Sequence, residues 1–226
     1  MKTTSLEQSF ISLAEDSASR FEKLYHDLRE TALTAIAEGK LADTIDKLTA
    51  LANDENSDTL DRAALLQTVA ALYIEADDTD NAISAEADAL SLLASEARRK
   101  DNDFLLVLGA LLYDLAFIHN TRKEYKAAER TLSKAIKVFE RLAKYDTARF
   151  GQAHIHALNA ATAVYRSHIK QVNLLAHYQV ATTTYLNMVN SGIKDAMERL
   201  IESLKAEGET LMKLGKHKNA VHYFTR

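Results

Sequence analysis

The chain has 226 residues, of which 47% are hydrophobic and 27% are charged, and its formal net charge is −4. It contains no proline, no cysteine and six glycines. Because proline interrupts helices and glycine weakens them, this composition favours long helices, and the period-two alternation that would indicate a sheet is missing. The lack of cysteine excludes disulfides, thiolate metal ligands and cysteine nucleophiles. It also fits the cytoplasm, which is the expected location.

The charge is unevenly distributed along the chain. Residues 1–100 carry 10 basic and 20 acidic side chains, a net of −10, whereas residues 101–226 carry 18 basic and 12 acidic side chains, a net of +6. The imbalance reflects either drift between solvated helix faces or a polar molecule that packs head to tail or attracts a charged partner. The N-terminus lacks a basic stretch followed by an apolar one, so no secretory signal is predicted. No run of about 18 apolar residues predicts a membrane-spanning helix.

The first predicted element is a helix over residues 5–38. Its large apolar residues recur in steps of three and four, or of their sums, which places them on one helix face. They are Leu6, Phe10, Leu13, Phe21, Leu24 and Leu28. A single helix and two helices separated near residues 16–19 both fit this pattern. The N-terminal half has no upstream neighbour and is expected to cap the fold.

Nine further helices follow, separated by short polar or glycine-containing turns. They are predicted at residues 41–51, 58–76, 81–99, 104–120, 124–144, 147–169, 171–189, 193–214 and 216–226. Ser57 or Asp58 is the expected N-cap of the third helix, and Gly192 suits a left-handed helix end. Taken in pairs, the helices form hairpins at 5–52, 58–99, 103–145, 147–189 and 193–226.

The hairpins repeat one pattern. Leucines occupy the same place in all five, at positions separated once by 38 residues and then three times by 46: Leu28, Leu66, Leu112, Leu158 and Leu204. Self-similarity at such a period is typical of a solenoid of stacked units. An unrelated all-helical bundle is the alternative.

The repeat resembles the tetratricopeptide repeat, a helix–turn–helix unit with large and small residues at fixed places. The third hairpin shows it best, with Leu112, the pair Leu115-Ala116, Tyr125 after the turn, and then Ala128, Leu132 and Ala135. In the second hairpin, Leu66, Val69-Ala70, Tyr73, Ala82, Glu86 and Ala89 occupy these places. Small residues let two helices approach closely. The family's usual spacing is 34 residues. The twelve extra residues would lengthen each helix by roughly 9 Å.

The resemblance implies an all-α fold, namely a right-handed superhelical solenoid of about five antiparallel hairpins in a single domain over residues 1–226. It further implies a non-enzymatic scaffold or adaptor that binds a protein or peptide on its concave face, which the first helices line. Their exposed edges are expected to offer Arg29, Gln67, Tyr113, Phe117, Asn120, Asn159, Arg166 and Lys205. For Phe117, packing against the next hairpin is an equal alternative. The Lys/Asn/Arg set with which some family members hold a carboxylate is not matched here.

A basic stripe is predicted on the sixth helix. Its cations recur at three and four residues within one third of the helix circumference: Arg122, Lys126, Arg130, Lys134, Lys137, Arg141 and Lys144. The stripe should face solvent, opposite an apolar set that includes Leu132 and Phe139. It is either a solvated face or a surface for an acidic partner or a nucleic-acid backbone. No aromatic residues alternate with the cations, so nucleic acid is not the expected partner.

No catalytic or cofactor motif stands out. Phosphate loops, nucleophile elbows, dinucleotide fingerprints and His-Glu-x-x-His are all missing, so we predict no enzyme, no cofactor and no metal site. His26-Asp27 is expected at the surface, and His119 is expected to pack with a polar tip. Three other hypotheses stay open: self-assembly through the C-terminal hairpin, the regulatory repeat portion of a larger signalling protein, and a helical hydrolase with histidine-bound metal. The first assumes that Leu211, Val221 and Phe224 are poorly covered.

Overall fold

A computed structural model of the protein describes residues 20–96, 98–99, 101–168, 171–193 and 196–224. Within these ranges the chain forms ten α-helices joined by turns and no strand, which confirms the all-α class. The helices are α1 (Arg20–Glu38), α2 (Leu41–Ala52), α3 (Thr59–Glu75), α4 (Thr79–Ser95), α5 (Asn102–Thr121), α6 (Tyr125–Tyr145), α7 (Thr147–His168), α8 (Gln171–Asn190), α9 (Ala196–Lys213) and α10 (His217–Phe224). Most bounds lie within three residues of those predicted. The predicted helix over residues 5–19 lies outside the described residues.

Side-chain caps start four of these helices. Asp58, Asp78, Asp101 and Asp146 each accept a hydrogen bond from a backbone N–H in the first turn of the helix that follows. At Asp58 the Leu60 N–H donates to Oδ1 at 2.9 Å, as expected for one of the two residues proposed as the cap. Such a cap satisfies backbone donors that have no partner within the helix. It therefore fixes where the helix begins.

The chain divides into two compact units, residues 1–138 and 139–226, with the boundary inside α6. In the first unit α1 packs against α3 and α3 packs against α5, while α4 packs against both α3 and α5. In the second unit α7 packs against α8, and α9 packs against both α8 and α10. The expectation of a single repeat domain stays a prediction.

The repeat positions largely form the core. Leu28, Leu66, Leu112 and Leu158 are buried, whereas Leu204 is half-buried. The small residues that follow them are also buried, including Ala32, Ala70 and Ala116, as are Ala82, Ala128 and Ala220 on the second helices. Tiny side chains at these places allow close helix packing, so the large–small pattern has the packing role assigned to it.

Four hairpins turn in the same way. A residue with a left-handed backbone ends the first helix: Gly39 at φ 66°, Asp77 at 62°, Lys123 at 62° and Gly215 at 71°. The N–H of the next residue donates to the carbonyl five residues back at 2.8–2.9 Å, a helix-ending arrangement. The second helix begins two residues after the left-handed one. These positions repeat the 38- and 46-residue spacing, and position 169, where the fourth turn would fall, lies outside the described residues.

Replacing Lys123 with glycine should raise the free energy of unfolding by up to about 1 kcal/mol. A left-handed backbone costs a residue with a β-carbon roughly 1–2 kcal/mol, which exceeds the roughly 0.5–1 kcal/mol that glycine loses through its greater freedom in the unfolded chain. Urea unfolding measures the change. Lys134→Gly is the control, because in the middle of α6 the same substitution should lower stability by about 1 kcal/mol. A loss of stability in Lys123→Gly would contradict the turn geometry.

Helix α5 alters one sequence-based expectation. Over Asn102–Thr121 it is long and apolar enough to cross a membrane by length and composition, although no such helix was predicted. Of its most apolar window, 61% is buried within the protein, and a buried core helix passes the same test. The helix also carries Asp114, which is buried. We therefore describe α5 as a core helix of the first unit.

The C-terminal hairpin differs in part from expectation. Leu211, expected to be poorly covered, is 3% exposed because Ala220 of α10 and Leu175 of α8 pack with it. Val221 is 60% exposed, as expected. The side chain of Phe224 lies outside the described residues. The open apolar surface of this hairpin is therefore smaller at Leu211 of α9 than the sequence suggested.

Candidate functional site

The eight residues predicted to line a groove belong to two units. The first unit holds Arg29, Gln67, Tyr113, Phe117 and Asn120, and the second holds Asn159, Arg166 and Lys205. Arg29, Tyr113, Phe117 and Asn120 are half-buried rather than fully exposed. Burial, with a smaller contribution from the Asp114 charge, raises the pKa of Tyr113 to about 12, so its hydroxyl is neutral.

Gln67 does not lie on an exposed edge, and that prediction was wrong. Its side chain is 0% exposed, because it points into the unit, where its Nε2 donates to Oδ2 of Asp114 at 2.5 Å. A buried amide must find polar partners within the protein. The carboxylate from α5 supplies one here, which makes Gln67 a core residue and not a ligand contact.

This pair belongs to a buried polar cluster formed by four helices of the first unit. Tyr25 from α1, Gln67 from α3, Glu86 from α4 and Asp114 from α5 are all at most 6% exposed. Burial and then the Asp114 charge raise the pKa of Glu86 well above its usual range. Burial, Asp114 and then Glu86 raise the pKa of Tyr25 in the same direction. The cluster is closed to solvent.

The second unit contains an open cleft of about 270 Å³ between α7, α8 and α9. Two predicted residues, Asn159 and Arg166, line it from α7. The third, Lys205, is exposed on α9 but does not line the cleft. The other lining residues are Thr162, Ala163, Tyr178, Ala181, Tyr185, Arg199, Glu202 and Ser203.

Hydrogen bonds orient the polar groups of this cleft. Arg166 Nε donates to the hydroxyl of Tyr178 at 2.6 Å, and the Tyr185 hydroxyl donates to Oδ1 of Asn159 at 2.9 Å. Burial raises the pKa of Tyr185 to about 12, which keeps this donor protonated. The terminal nitrogens of Arg166 and the Nδ2 group of Asn159 have no bond to another described residue and can donate to a ligand.

A second arginine faces the same cleft from α9. Arg199 donates to Oε2 of Glu202 at 2.8 Å, a hydrogen bond that raises the pKa of the guanidinium. With Arg166 and Glu202, the lining carries one net positive charge and an excess of hydrogen-bond donors. Sequence reasoning did not find Arg199, because from the same helix it chose Lys205, which does not line the cleft.

The predicted basic stripe is exposed along its whole length. All seven cations are exposed, whereas Leu132, Ala135 and Phe139 on the opposite face of α6 are at most 2% exposed. Arg122 pairs with Asp80 and Glu124, and Lys144 Nζ lies 2.6 Å from Oε1 of Glu140. The five cations between them form no ion pair with a described residue.

The histidines whose side chains the structure describes do not converge on a metal site. Among the described residues no group of three or more His, Asp or Glu side chains could hold a metal ion. His26 is exposed, and His119 is half-buried with Nδ1 2.7 Å from Oε2 of Glu124. His154 lines a small cavity of about 110 Å³ in the second unit. Burial lowers the pKa of His154 to about 4, so at neutral pH it is an uncharged core residue.

Comparison with known proteins informs the fold alone. No protein-family model matches this chain, and no curated protein sequence matches it. Among the solved structures that it resembles is the crystal structure of BtubC (BKLC) from P. vanneervenii, with a TM-score of 0.60 and 20% sequence identity. The likeness covers 98% of this chain and 89% of that chain. At this identity it shows a similar helical fold and does not bear on function.

Proposed function

We propose that this chain is a non-enzymatic, cytoplasmic scaffold or adaptor that binds an extended peptide segment of a partner protein. Its architecture in this proposal is a tetratricopeptide-like solenoid. The four equivalent turns at Gly39, Asp77, Lys123 and Gly215, together with the buried small residues at repeat positions, support that architecture. The likeness to BtubC along almost the whole chain is compatible with it.

The cleft between α7, α8 and α9 is the observation on which the proposal depends. Two first helices of neighbouring hairpins, α7 and α9, form its sides, and α8 contributes Tyr178, Ala181 and Tyr185. Ligand sites combine apolar walls with a few oriented polar groups. An extended peptide presents unpaired backbone carbonyls, and the free donors of Asn159 and Arg166 suit them. The ring of Tyr178, which lies 5.8 Å from the Arg166 guanidinium carbon, supplies apolar area beside them.

Replacing Asn159 and Arg166 together with alanine should reduce partner capture at least about tenfold. Each residue offers donors worth about 1 kcal/mol net per hydrogen bond, and 1.4 kcal/mol corresponds to a factor of ten. Capture from native lysate, quantified by mass spectrometry, measures the effect, and circular dichroism checks the fold. Arg130→Ala is the matched control, because it removes an exposed arginine of the stripe. Unchanged capture by the double variant, or equal loss in Arg130→Ala, would contradict the cleft as the site.

A further inference from the structure

One face of α9 exposes apolar side chains, whereas most residues at the equivalent positions of the other hairpins are buried. Met197 is 54% exposed and Ile201 is 59% exposed, and Leu204 beside them is half-buried. Successive residues of a helix are rotated by 100°, which places these three side chains within about 60° of one another. The same rotation puts Arg199 and Ser203, which line the cleft, on the opposite side. The apolar face is therefore separate from the proposed peptide site.

The repeat shows what normally covers this face. Stepping back from Ile201 by the repeat spacing leads to Ile155, Gly109, Ala63 and Tyr25, and all four are buried. The four leucines equivalent to Leu204 are buried as well.

The fourth hairpin shows the covering element directly. A β-carbon placed on Gly151, the equivalent of Met197, would lie 3.4 Å from the side chain of Ile193, which leads into α9. In the fourth hairpin, this face is therefore covered by the fifth hairpin. On α9, no described residue of the second unit does so.

Charges beside the apolar face indicate the occupant. Glu198 and Lys205 are exposed, lie on the same flank and form no ion pair with a described residue. They stand three residues before and four residues after Ile201. If a second α9 packs antiparallel with the two-fold axis near Ile201, each Glu198 comes beside the Lys205 of the other copy. The pattern is thus complementary to itself, as a two-fold interface requires.

We infer that α9 docks a second copy of this chain, antiparallel, through Met197, Ile201 and Leu204, with two symmetric Glu198–Lys205 ion pairs at the rim. The interface goes beyond the proposed peptide binding and does not depend on it. A contact formed by part of one 18-residue helix is small. Interfaces of that size support weak association, so the dimer should form in the micromolar range.

Analytical ultracentrifugation over low to high micromolar concentrations tests the interface. The average mass of the wild-type chain should rise from 25.2 kDa towards twice that value. Ile201→Glu should stay monomeric, because it buries a charge at the centre of the contact. Val180→Glu is the matched control: Val180 is 59% exposed on α8 in the same unit, and its replacement should leave dimerisation unchanged.

Charge exchange tests the orientation. Glu198→Lys and Lys205→Glu should each weaken the dimer at least about tenfold, since each creates two like-charge contacts, and the double variant should restore it. A monomeric wild-type chain at every concentration overturns the proposal. So does a dimer that survives Ile201→Glu, or a double variant no tighter than the single ones. Helicity measured by circular dichroism identifies any variant that fails to fold, and the remaining variants then decide.

Discussion

Replacing Glu86 with leucine should raise the free energy of unfolding of the first unit at neutral pH by about 1–3 kcal/mol, the cost of a buried polar group that has no hydrogen-bond partner. Glu86 is 0% exposed, and neither carboxyl oxygen has a hydrogen-bond partner among the described residues. The equivalent position of the third hairpin, 46 residues later, holds Leu132, which is 2% exposed. Leucine is thus a side chain that this place in the repeat already accommodates.

The stability change caused by Glu86→Leu should also depend on pH. The folded-state pKa of Glu86 is raised, first by burial and then by Asp114, so the folded chain holds this proton more tightly than the unfolded chain does. The stabilisation that comes from this tighter proton binding is complete below the ordinary glutamate pKa and is lost as pH rises through the folded-state pKa. Tyr25, held neutral by its own raised pKa, and Asp114 are the titratable groups that face it. Glu86→Leu should therefore stabilise more at about pH 8 than at about pH 5.

Urea unfolding at both pH values, with hydrogen exchange to assign the change to residues 20–138, is the measurement. Asp88→Leu is the control, since Asp88 is exposed on the same helix and its replacement should alter stability by no more than about 0.5 kcal/mol. A Glu86→Leu variant that is less stable than wild type at both pH values would show that the carboxyl group forms a stabilising contact.

The helices could be predicted from sequence because local chemistry determines them. Three local signals predicted most helix boundaries within three residues. They are apolar residues at three- and four-residue steps, an aspartate at an N-cap, and residues that tolerate a left-handed backbone. Lys123 adopts the same backbone as Gly39, although nothing in its side chain indicates it. At Lys123 the repeat spacing indicates the turn more strongly than the residue type does.

Burial of individual polar residues could not be predicted in the same way. Gln67 was placed on an exposed edge by its register, but Asp114, 47 residues away, draws it into the core. Arg199 enters the cleft from a helix that follows Arg166 by more than thirty residues. Such pairings depend on how hairpins stack, which periodicity within one helix does not specify. Glu86 was the exception, since a charged residue at a position that is leucine in another repeat already departs from the pattern.

Acid should destabilise the second unit by roughly 3 kcal/mol through His154, in the opposite direction to Glu86. His154 is 3% exposed, and burial lowers its pKa from 6.5 to about 4, with Glu140 raising it and Lys144 lowering it to smaller extents. The unfolded chain therefore binds a proton between about pH 6.5 and pH 4 that the folded chain does not, and stability falls as the pH falls through this window. One pKa unit corresponds to 1.36 kcal/mol, which gives the magnitude.

His154→Leu should flatten this acid slope in urea unfolding followed by hydrogen exchange over residues 139–224. His177, whose pKa burial also lowers to about 4, retains its own share of the slope, so the loss is partial. Replacing exposed His217 with leucine is the control and should leave the slope unchanged. An identical slope in His154→Leu would mean that the buried imidazole is not responsible. Glu86 makes the first unit more stable at low pH, whereas His154 makes the second unit more stable at high pH. The two variants together should therefore distinguish the pH dependence of stability in one unit from that in the other.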